Sequence, residues 1–367
     1  MNFENNFKLE SEQEKEKPWV EKIREYYQGD YHAHTLRSSR EEVDGAKERM
    51  VHSDTRLMQY ADKLGLDFVF FSEHSSSPGA PKKLSEDHPI SQSLLEGKNK
   101  IAEINKQGNY RPKAYSAVEA NIMFDDGEAR IDVPNSVLAQ LDLVVASRHV
   151  IDEKFEPQKI KESMLTAINN PEVDIIGHPY RSIEFYEHDW RYFKKYYTKD
   201  EVISQDLEAL EKNSEWDKVK MIIGKTEPKG EKMEHYHELF KSLKNEYWEA
   251  WTDILGAMEN KGTAFEINLS SFNPEKEYYQ TLLAKTAKYP NLNYSITFDF
   301  HSLGQLDNYN NKNYKTEKPA EIKNPARAKG VQRMLELIAL LEKNGISKNR
   351  VINSSQANLD KFLASRG

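Results

Sequence analysis

Short apolar runs recur along the chain, and nearly every run ends in a residue that can bind a metal ion. Near-continuous apolar runs of four to six residues are typical of strands buried on both faces, as in a parallel sheet covered by helices. The runs and the residues that end them are Tyr31 before His32 and His34; 66–71 before Glu73 and His74; 114–118 before Glu119; 141–146 before His149; 173–176 before His178; 264–267 before Asn268; and 294–298 before Asp299 and His301.

The segments between these runs carry the spacing of amphipathic helices. In 55–64 the apolar residues recur at helical intervals, and Ser53 is among the residues available to cap the helix. In 331–341 they form one stripe, which Gly345 follows closely. Alternating strands and helices predict a parallel sheet, and seven such units favour a closed α/β barrel over an open sheet.

The predicted domain organisation is a polar N-terminal segment with a short helix, 1–28, followed by one barrel domain, 29–367. More than eighty residues separate His178 from the run at 264–267, which is roughly three times what a simple crossover needs. We therefore expect a mostly helical insertion, 184–258, after the fifth strand. Because it would leave the barrel at the active face, we interpret it as a cap; a surface decoration without a catalytic role is the alternative.

Composition and charge narrow the chemistry. The 367 residues include no cysteine, so disulfides and thiolate metal sites are excluded and any metal must be held by His, Asp and Glu. Residues 1–17 lack the apolar core of a secretory signal and no run is long enough to span a bilayer, which indicates the cytoplasm and no membrane partner. The net charge of −8 favours a small phosphorylated substrate over nucleic acid, although a local basic groove would reverse that preference.

The residues that end the runs are expected to form one cluster, because the carboxyl ends of parallel strands meet at one face of a barrel. His32 and His34 stand two apart on one strand and project to the same side. Glu119 and Asp299 are suited to bridging, since a carboxylate can share its oxygens between two cations. Carboxylates and imidazoles together suit zinc, manganese or iron. The sequence therefore predicts two or three divalent metal ions.

This cluster leads to a functional prediction. No Ser-His-Asp or cysteine nucleophile is evident, and no glycine-rich phosphate loop opens a helix. Two or more divalent ions can instead activate water and stabilise an in-line displacement at phosphorus. We predict a metal-dependent phosphoesterase that hydrolyses phosphomonoesters of a small metabolite or nucleotide by metal-activated water at a di- or trinuclear site. A phosphodiesterase or exonuclease on nucleic acid and a non-catalytic metal-binding regulatory module are the alternatives. The sequence does not indicate an oligomeric state.

Six short motifs resemble those of one superfamily. They are HxH at 32–34, SEH at 72–74, VEAN at 118–121, ASRH at 146–149, GHP at 177–179 and DFH at 299–301. They resemble the PHP (polymerase and histidinol phosphatase) superfamily, and within it the YcdX-like and histidinol-phosphatase-like metal-dependent phosphoesterases. The resemblance runs from about Asp30 to the C-terminus. It implies a distorted seven-stranded (β/α) barrel of the PHP type.

The resemblance also implies how the metal ligands divide. Many superfamily members carry a further histidine after HxH, where this chain has 38–40. His52 is offered for that role, and a surface residue is the alternative. By motif, His32, His34, Glu119 and Asp299 would hold one ion; Glu119, His149 and His178 would hold a second; and His74 and His301 would contribute to a third.

Three further residues complete the predicted catalytic set. Arg148 stands beside His149 and Arg181 follows His178, so each could receive phosphate oxygens through two N–H groups. Each arginine could instead form a salt bridge at the surface. Glu73 is the third member, at a position before His74 where the superfamily more commonly has Asp.

Overall fold

The computed structural model describes residues 18–35, 53–76, 81–125, 127–149, 157–181, 183, 231–299 and 325–365. The strands are β1 (Gly29–Ala33), β2 (Phe68–His74), β3 (Lys113–Asp125), β4 (Glu128–Ile131), β5 (Leu143–Ser147), β6 (Ile175–Gly177), β7 (Ala264–Asn268) and β8 (Tyr294–Thr297). The α-helices are α1 (Pro18–Arg24), α2 (Asp54–Leu64), α3 (Pro89–Gln107), α4 (Asn135–Leu138), α5 (Pro157–Asn169), α6 (Glu231–Lys261), α7 (Glu277–Thr286), α8 (Pro325–Lys343) and α9 (Gln356–Ala364).

Seven strands form one parallel sheet in the order β1-β2-β3-β5-β6-β7-β8. The short β4 folds back along the end of β3 as an antiparallel partner, with Ile131 opposite Ile122. Each of the seven apolar runs lies in one of the seven parallel strands. The predicted fold class is therefore confirmed: parallel strands alternate with helices in a nearly closed, TIM-like α/β barrel.

Signals at the helix ends explain where two predicted helices stop and start. The Ser53 hydroxyl accepts a hydrogen bond from the Arg56 amide at 3.3 Å and caps α2. The same helix ends at Gly65, whose φ is 73°. Gly345, which follows α8, has a φ of 71°. Glycine adopts this left-handed backbone without a clash from Cβ, so both helices end close to where the sequence predicts.

The inside of the barrel changes from apolar to polar along the strands. Successive residues of a strand point to opposite faces, so every second residue faces the barrel interior. Towards the amino ends of the strands these residues form one apolar cluster, which includes Phe68, Phe70, Tyr115, Leu143, Val145 and Ile175. Towards the carboxyl ends they are buried and polar, and include Ser72, His74, Glu119, Asn121, Ser147, Glu266, Asn268 and Ser295. Among the interior residues that the structure describes, the histidines and carboxylates able to bind ions or transfer protons therefore lie towards the carboxyl ends of the strands.

Helix α9 closes the apolar end of the barrel. Its Leu359 and Phe362 are buried in the same cluster as Phe68 and Phe70, together with Ile352 from the turn before the helix. Burial of large apolar side chains contributes on the order of 2 kcal/mol each. The amino ends of the strands therefore serve stability.

The side chain of Asn353 links β8 to β1. Nδ2 of Asn353 donates to the Gly29 carbonyl at 2.8 Å and also to the Ile296 carbonyl. Oδ1 of Asn353 accepts from the Ile296 amide at 3.0 Å, and its own carbonyl accepts from the Gln28 amide at 2.7 Å. Among the described residues, β1 and β8 share no backbone ladder. The Asn353 amide thus substitutes for strand pairing at this seam.

Helix α6 contains the last part of the segment that the sequence analysis assigns to a cap. Tyr247, Trp251, Ile254 and Met258 of this helix are fully buried. The helix lies against α5 and β7, as the covering helices of a barrel do. The larger part of the segment, 184–230, lies outside the described residues, so the cap stays a prediction. Among the helices that the structure describes, none combines the length and apolarity that crossing a bilayer requires.

Candidate metal centre

The carboxyl ends of the strands bring seven predicted metal ligands together. His32 belongs to β1, His74 to β2 and Glu119 to β3. The remaining four lie in the turns directly after strands, and those four are His34, His149, His178 and Asp299. The side chains of all seven are nine-tenths or more buried. His52 and His301, the other predicted ligands, lie outside the described residues.

Glu119 stands at the centre of the cluster, and its side chain is only 1% exposed. Each of its two oxygens lies near several imidazole nitrogens. Oε1 is 3.0 Å from His149 Nε2 and 3.0 Å from His178 Nε2, and Oε2 is 2.8 Å from His74 Nδ1, 3.1 Å from His32 Nε2 and 3.7 Å from His34 Nε2. One carboxylate is thus surrounded by five histidines, which is the arrangement expected of a bridging ligand.

Asp299 forms the other acidic side of the cluster. Its Oδ1 lies 3.1 Å from His34 Nε2 and 3.7 Å from His32 Nε2, and its Oδ2 accepts a hydrogen bond from Asn268 Nδ2 at 3.1 Å. Among the described residues, Asp299 (φ 52°) and His178 (φ 27°) are the non-glycine residues with a positive φ. Backbone strain of this kind costs on the order of 1–3 kcal/mol and concentrates at functional sites.

The ligand atoms fall into three groups, each with its atoms within 4.8 Å of one another. Each group could hold a metal ion. The first group is His32, His34 and Asp299; the second is His34, His74 and Glu119; the third is Glu119, His149 and His178. His34 and Glu119 each belong to two groups, so neighbouring ions would share ligands.

Asn121 determines which nitrogen of His149 can bind a metal. Nδ2 of Asn121 donates to Asp132 Oδ2 at 2.8 Å and to Ser75 Oγ at 3.1 Å, so Oδ1 is the atom that faces His149 Nδ1 at 2.7 Å. An amide oxygen only accepts, which places the proton on Nδ1 and a lone pair on Nε2. That lone pair faces Glu119 Oε1 across 3.0 Å. A cation fits between these two acceptors.

A proton on His149 Nε2 could occupy the position between His149 and Glu119 instead of a metal ion. Burial lowers the pKa of His149 to about 4, against the attraction of Glu119, and the nearby His178 and His74 lower it further. Near neutral pH the imidazole is therefore neutral, which is the form that binds metals. The residues present thus fit a metal ion better than they fit a proton.

The charges of Glu119 and His32 depend on each other. Burial raises the pKa of Glu119, but the attraction of His32, His149 and His74 outweighs burial and holds that pKa well below its usual range. Burial likewise lowers the pKa of His32, and attraction to Glu119 and two further carboxylates outweighs it, so that pKa is raised. His32 Nε2 and Glu119 Oε2 are buried 3.1 Å apart without the alignment of a hydrogen bond. The cluster stabilises positive charge at this point.

The three predicted catalytic residues lie around the cluster. Glu73 is 5% exposed, and its two oxygens accept from the Thr35 amide at 3.1 Å and the Thr35 hydroxyl at 2.5 Å. Arg148 is half-buried beside His149, and Arg181 is exposed in the turn after His178. The structure places each near the carboxyl end of the barrel, and their catalytic roles stay predictions.

Sequence reasoning missed the residues that hold the ligands in place. Glu266 lies inside the apolar run 264–267, where it is fully buried and 2.7 Å from His32 Nδ1. Asn121 lies within the VEAN motif at 118–121, which gives it no role of its own, and no motif includes Asp132. A charged residue in the middle of a buried strand was the available signal for Glu266, because a buried charge is rare unless it is paired.

No family model matches the chain. Over 66 residues it is 54% identical to a probable phosphatase of Caldanaerobacter subterraneus subsp. tengcongensis, a match that covers 17% of this chain and 24% of that protein. Over 156 residues it is 29% identical to a probable phosphatase of Clostridium acetobutylicum, which covers 41% of this chain and 52% of that protein. The chain thus spans about a quarter to a half of the length of these relatives.

Proposed function

We propose that this protein is a metal-dependent phosphatase that hydrolyses phosphomonoesters of a small metabolite or nucleotide. The observation that carries the proposal is the set of three adjoining ligand groups that share His34 and Glu119. Such an arrangement suits ions a few Å apart, the spacing that phosphoester hydrolases use. The relatives named probable phosphatases support the same activity.

Each part of the cluster has a role in this proposal. His32, His34, Glu119 and Asp299 would hold one ion of zinc, manganese or iron. The third group would hold a second, and His74 would contribute to a third with His301. Ions bound there would supply an activated water and positive charge at the phosphoryl group. Glu119 keeps the two main ligand sets in register because its oxygens reach both.

Residues beside the cluster would select and orient the phosphoryl group. We propose that Arg148 and Arg181, which flank His149 and His178, receive phosphoryl oxygens that the ions do not contact. Glu73 holds Thr35 through two hydrogen bonds, and we propose that it fixes the segment that follows His34. The acidic balance of the chain supports a small substrate over a nucleic acid.

The test combines metal analysis with a substrate screen. Purified protein is assayed for bound zinc, manganese and iron, and then with p-nitrophenyl phosphate, nucleoside monophosphates, bis-p-nitrophenyl phosphate and single-stranded DNA. We expect monoester hydrolysis that a chelator abolishes and one of these ions restores. Preference for the diesters would contradict a phosphomonoesterase and indicate a phosphodiesterase instead. Metal-loaded protein that hydrolyses none of them would contradict a hydrolytic function.

A further inference from the structure

Glu266 is a buried carboxylate that touches two of the ligand groups without belonging to either. It lies in the middle of β7, with its side chain fully buried. It is absent from each of the three ligand groups. Its contacts nevertheless reach a member of the first group and a member of the third.

One oxygen of Glu266 fixes the ring of His32. Oε1 lies 2.7 Å from His32 Nδ1, so Nδ1 is the donor and Nε2 is the nitrogen whose lone pair becomes available to a metal ion. That Nε2 is the atom 3.1 Å from Glu119 and 3.7 Å from Asp299. The contact therefore selects the tautomer of His32 that can bind a metal through Nε2, as carboxylates commonly do for metal-binding histidines.

The other oxygen of Glu266 fixes the backbone that carries His178. Oε2 accepts a hydrogen bond from the His178 amide, at a residue whose φ is 27°. A strained backbone persists only where its surroundings hold it. From this position His178 Nε2 lies 3.0 Å from Glu119 Oε1. The same carboxylate thus supports a ligand on each side of Glu119.

We propose that Glu266 is a positioning residue. It holds His32 of the first ligand group and His178 of the third group in the orientations that bind metal ions. Both of its partners are N–H donors, so the position requires a side chain with two acceptors. A glutamine has one acceptor and one donor, and either orientation of its amide turns the donor towards one of the two N–H groups. This proposal rests on the metal-dependent function proposed above, but it concerns metal binding before any turnover.

The test compares Glu266→Gln with a control in the same layer of the barrel. Ser295 pairs with Glu266 across β7 and β8 and is fully buried, and its Oγ has no hydrogen-bond partner among the described residues. Ser295→Ala is therefore the matched control. Metal-free proteins are titrated with Mn²⁺ or Zn²⁺ by calorimetry. We expect Glu266→Gln to lose about 10- to 100-fold in affinity at two ions, and Ser295→Ala to keep the parental affinity.

A second readout separates positioning from general loss of structure. In the Zn²⁺-loaded parent, long-range ¹⁵N–¹H spectra of labelled histidine should show His32 protonated on Nδ1 alone. In Glu266→Gln the Nδ1 form should lose its dominance, while circular dichroism stays that of the parent. Parental affinity at both ions, or His32 protonated on Nε2 in the parent, would overturn the proposal. If the variant fails to fold, the parental spectrum alone decides.

The two proposals can fail separately. A parent that shows the Nδ1 form of His32 but hydrolyses no phosphate ester would keep the role of Glu266 and remove the phosphatase function. A parent that hydrolyses monoesters with His32 protonated on Nε2 would do the reverse. Metal binding and the histidine spectra are measured without substrate, so neither depends on finding the physiological ester.

Discussion

The Oδ1 atom of Asn121 accepts a hydrogen bond from Nδ1 of His149 at 2.7 Å, while the rest of the Asn121 amide is held by other partners. The Asp132 carboxylate accepts hydrogen bonds from the Asn121 side-chain amide at 2.8 Å and from the Asn121 backbone amide at 2.9 Å. Asp132 also accepts a hydrogen bond from the Ser75 hydroxyl at 2.6 Å. A chain of hydrogen bonds therefore runs from the buried carboxylate of Asp132 through Asn121 to Nδ1 of His149, and it leaves Nε2 facing Glu119.

We expect Asn121→Ala to weaken metal binding in the third ligand group. His149 would lose the acceptor that fixes its tautomer, which typically costs 10-fold or more in metal affinity. Asp132 would also lose hydrogen-bond donors inside the protein. This loss should lower the free energy of unfolding by about 1–3 kcal/mol. Calorimetric metal titration and urea unfolding measure the two effects.

The control for this variant is Asn109→Ala, since Asn109 is exposed and pairs only weakly with Gln107 at 3.3 Å. It should leave both quantities unchanged. An Asn121→Ala variant that binds every ion with parental affinity would show that His149 does not need the amide.

Asp299→Ala should remove metal and hydrolysis while the chain stays folded. Asp299 is the acidic member of the first ligand group, 3.1 Å from His34, so its truncation removes one of the three ligands of that group. Elemental analysis of the purified variant and circular dichroism test the prediction. Full metal content with the turnover of the parent would show that Asp299 is not a ligand.

Gly177→Ala should destabilise the protein. A Cβ at Gly177 would lie 2.1 Å from Ser147 Oγ and 2.8 Å from Val145 Cγ1, so β6 must move away from β5. Overpacking of this kind costs about 1–3 kcal/mol, measured by urea unfolding of metal-free protein. Adding Ser147→Ala removes the nearest atom and should recover part of the loss.

The matched control for that variant is Gly256→Ala, in the middle of α6. There the new Cβ would meet only Tyr289 Cε1 at 3.8 Å, which is an ordinary contact. Alanine favours helix over glycine by about 0.5–1 kcal/mol, so this variant should unfold at equal or higher urea concentration. Equal effects of the two alanines would refute the steric account of Gly177.

The carboxyl group of Asp30 should make stability depend on pH. Burial raises the pKa of Asp30 from 3.8 to about 7, although hydrogen bonds from Tyr27 and the His32 amide pull it down. Because the folded pKa is the higher one, the stabilising contribution is complete below about pH 4 and is lost as pH rises through about 7. The difference corresponds to roughly 4 kcal/mol at most.

The measurement compares parent and Asp30→Asn in urea between pH 4.5 and 8, with a chelator present. The free energy of unfolding of the parent should fall relative to the variant as pH rises. Using the difference between the two proteins cancels the histidines that titrate in both. A difference that does not change with pH would show that Asp30 is ionised throughout.

The fold and most members of the buried histidine–carboxylate cluster could be predicted because each signal is local in the sequence. An apolar run and the histidine or carboxylate at its end are adjacent, and the parallel barrel then brings the run ends together. Glu73 shows where such reasoning stops. It neighbours His74 on β2, so alternation turns its side chain away from the barrel interior and towards Thr35.

The supporting residues could not be predicted in the same way. Glu266 and His32 are 234 positions apart, and nothing in the run 264–267 identifies which nitrogen its carboxylate will meet. The seam at Asn353 is similar, because its partner Gly29 is 324 positions away. Contacts of this kind form only when the barrel closes. No short stretch of the sequence contains both partners, so no local pattern predicts them.

The position of Asn353 has a consequence for how the protein is made. During synthesis from the N-terminus, β1 is complete long before the residue that joins it to β8 leaves the ribosome. Until then both strands present unpaired N–H and carbonyl groups, the feature that makes edge strands prone to aggregate. Binding of nascent chains by chaperones should therefore persist until the segment around Asn353 has emerged, however early the histidines of the cluster have been translated.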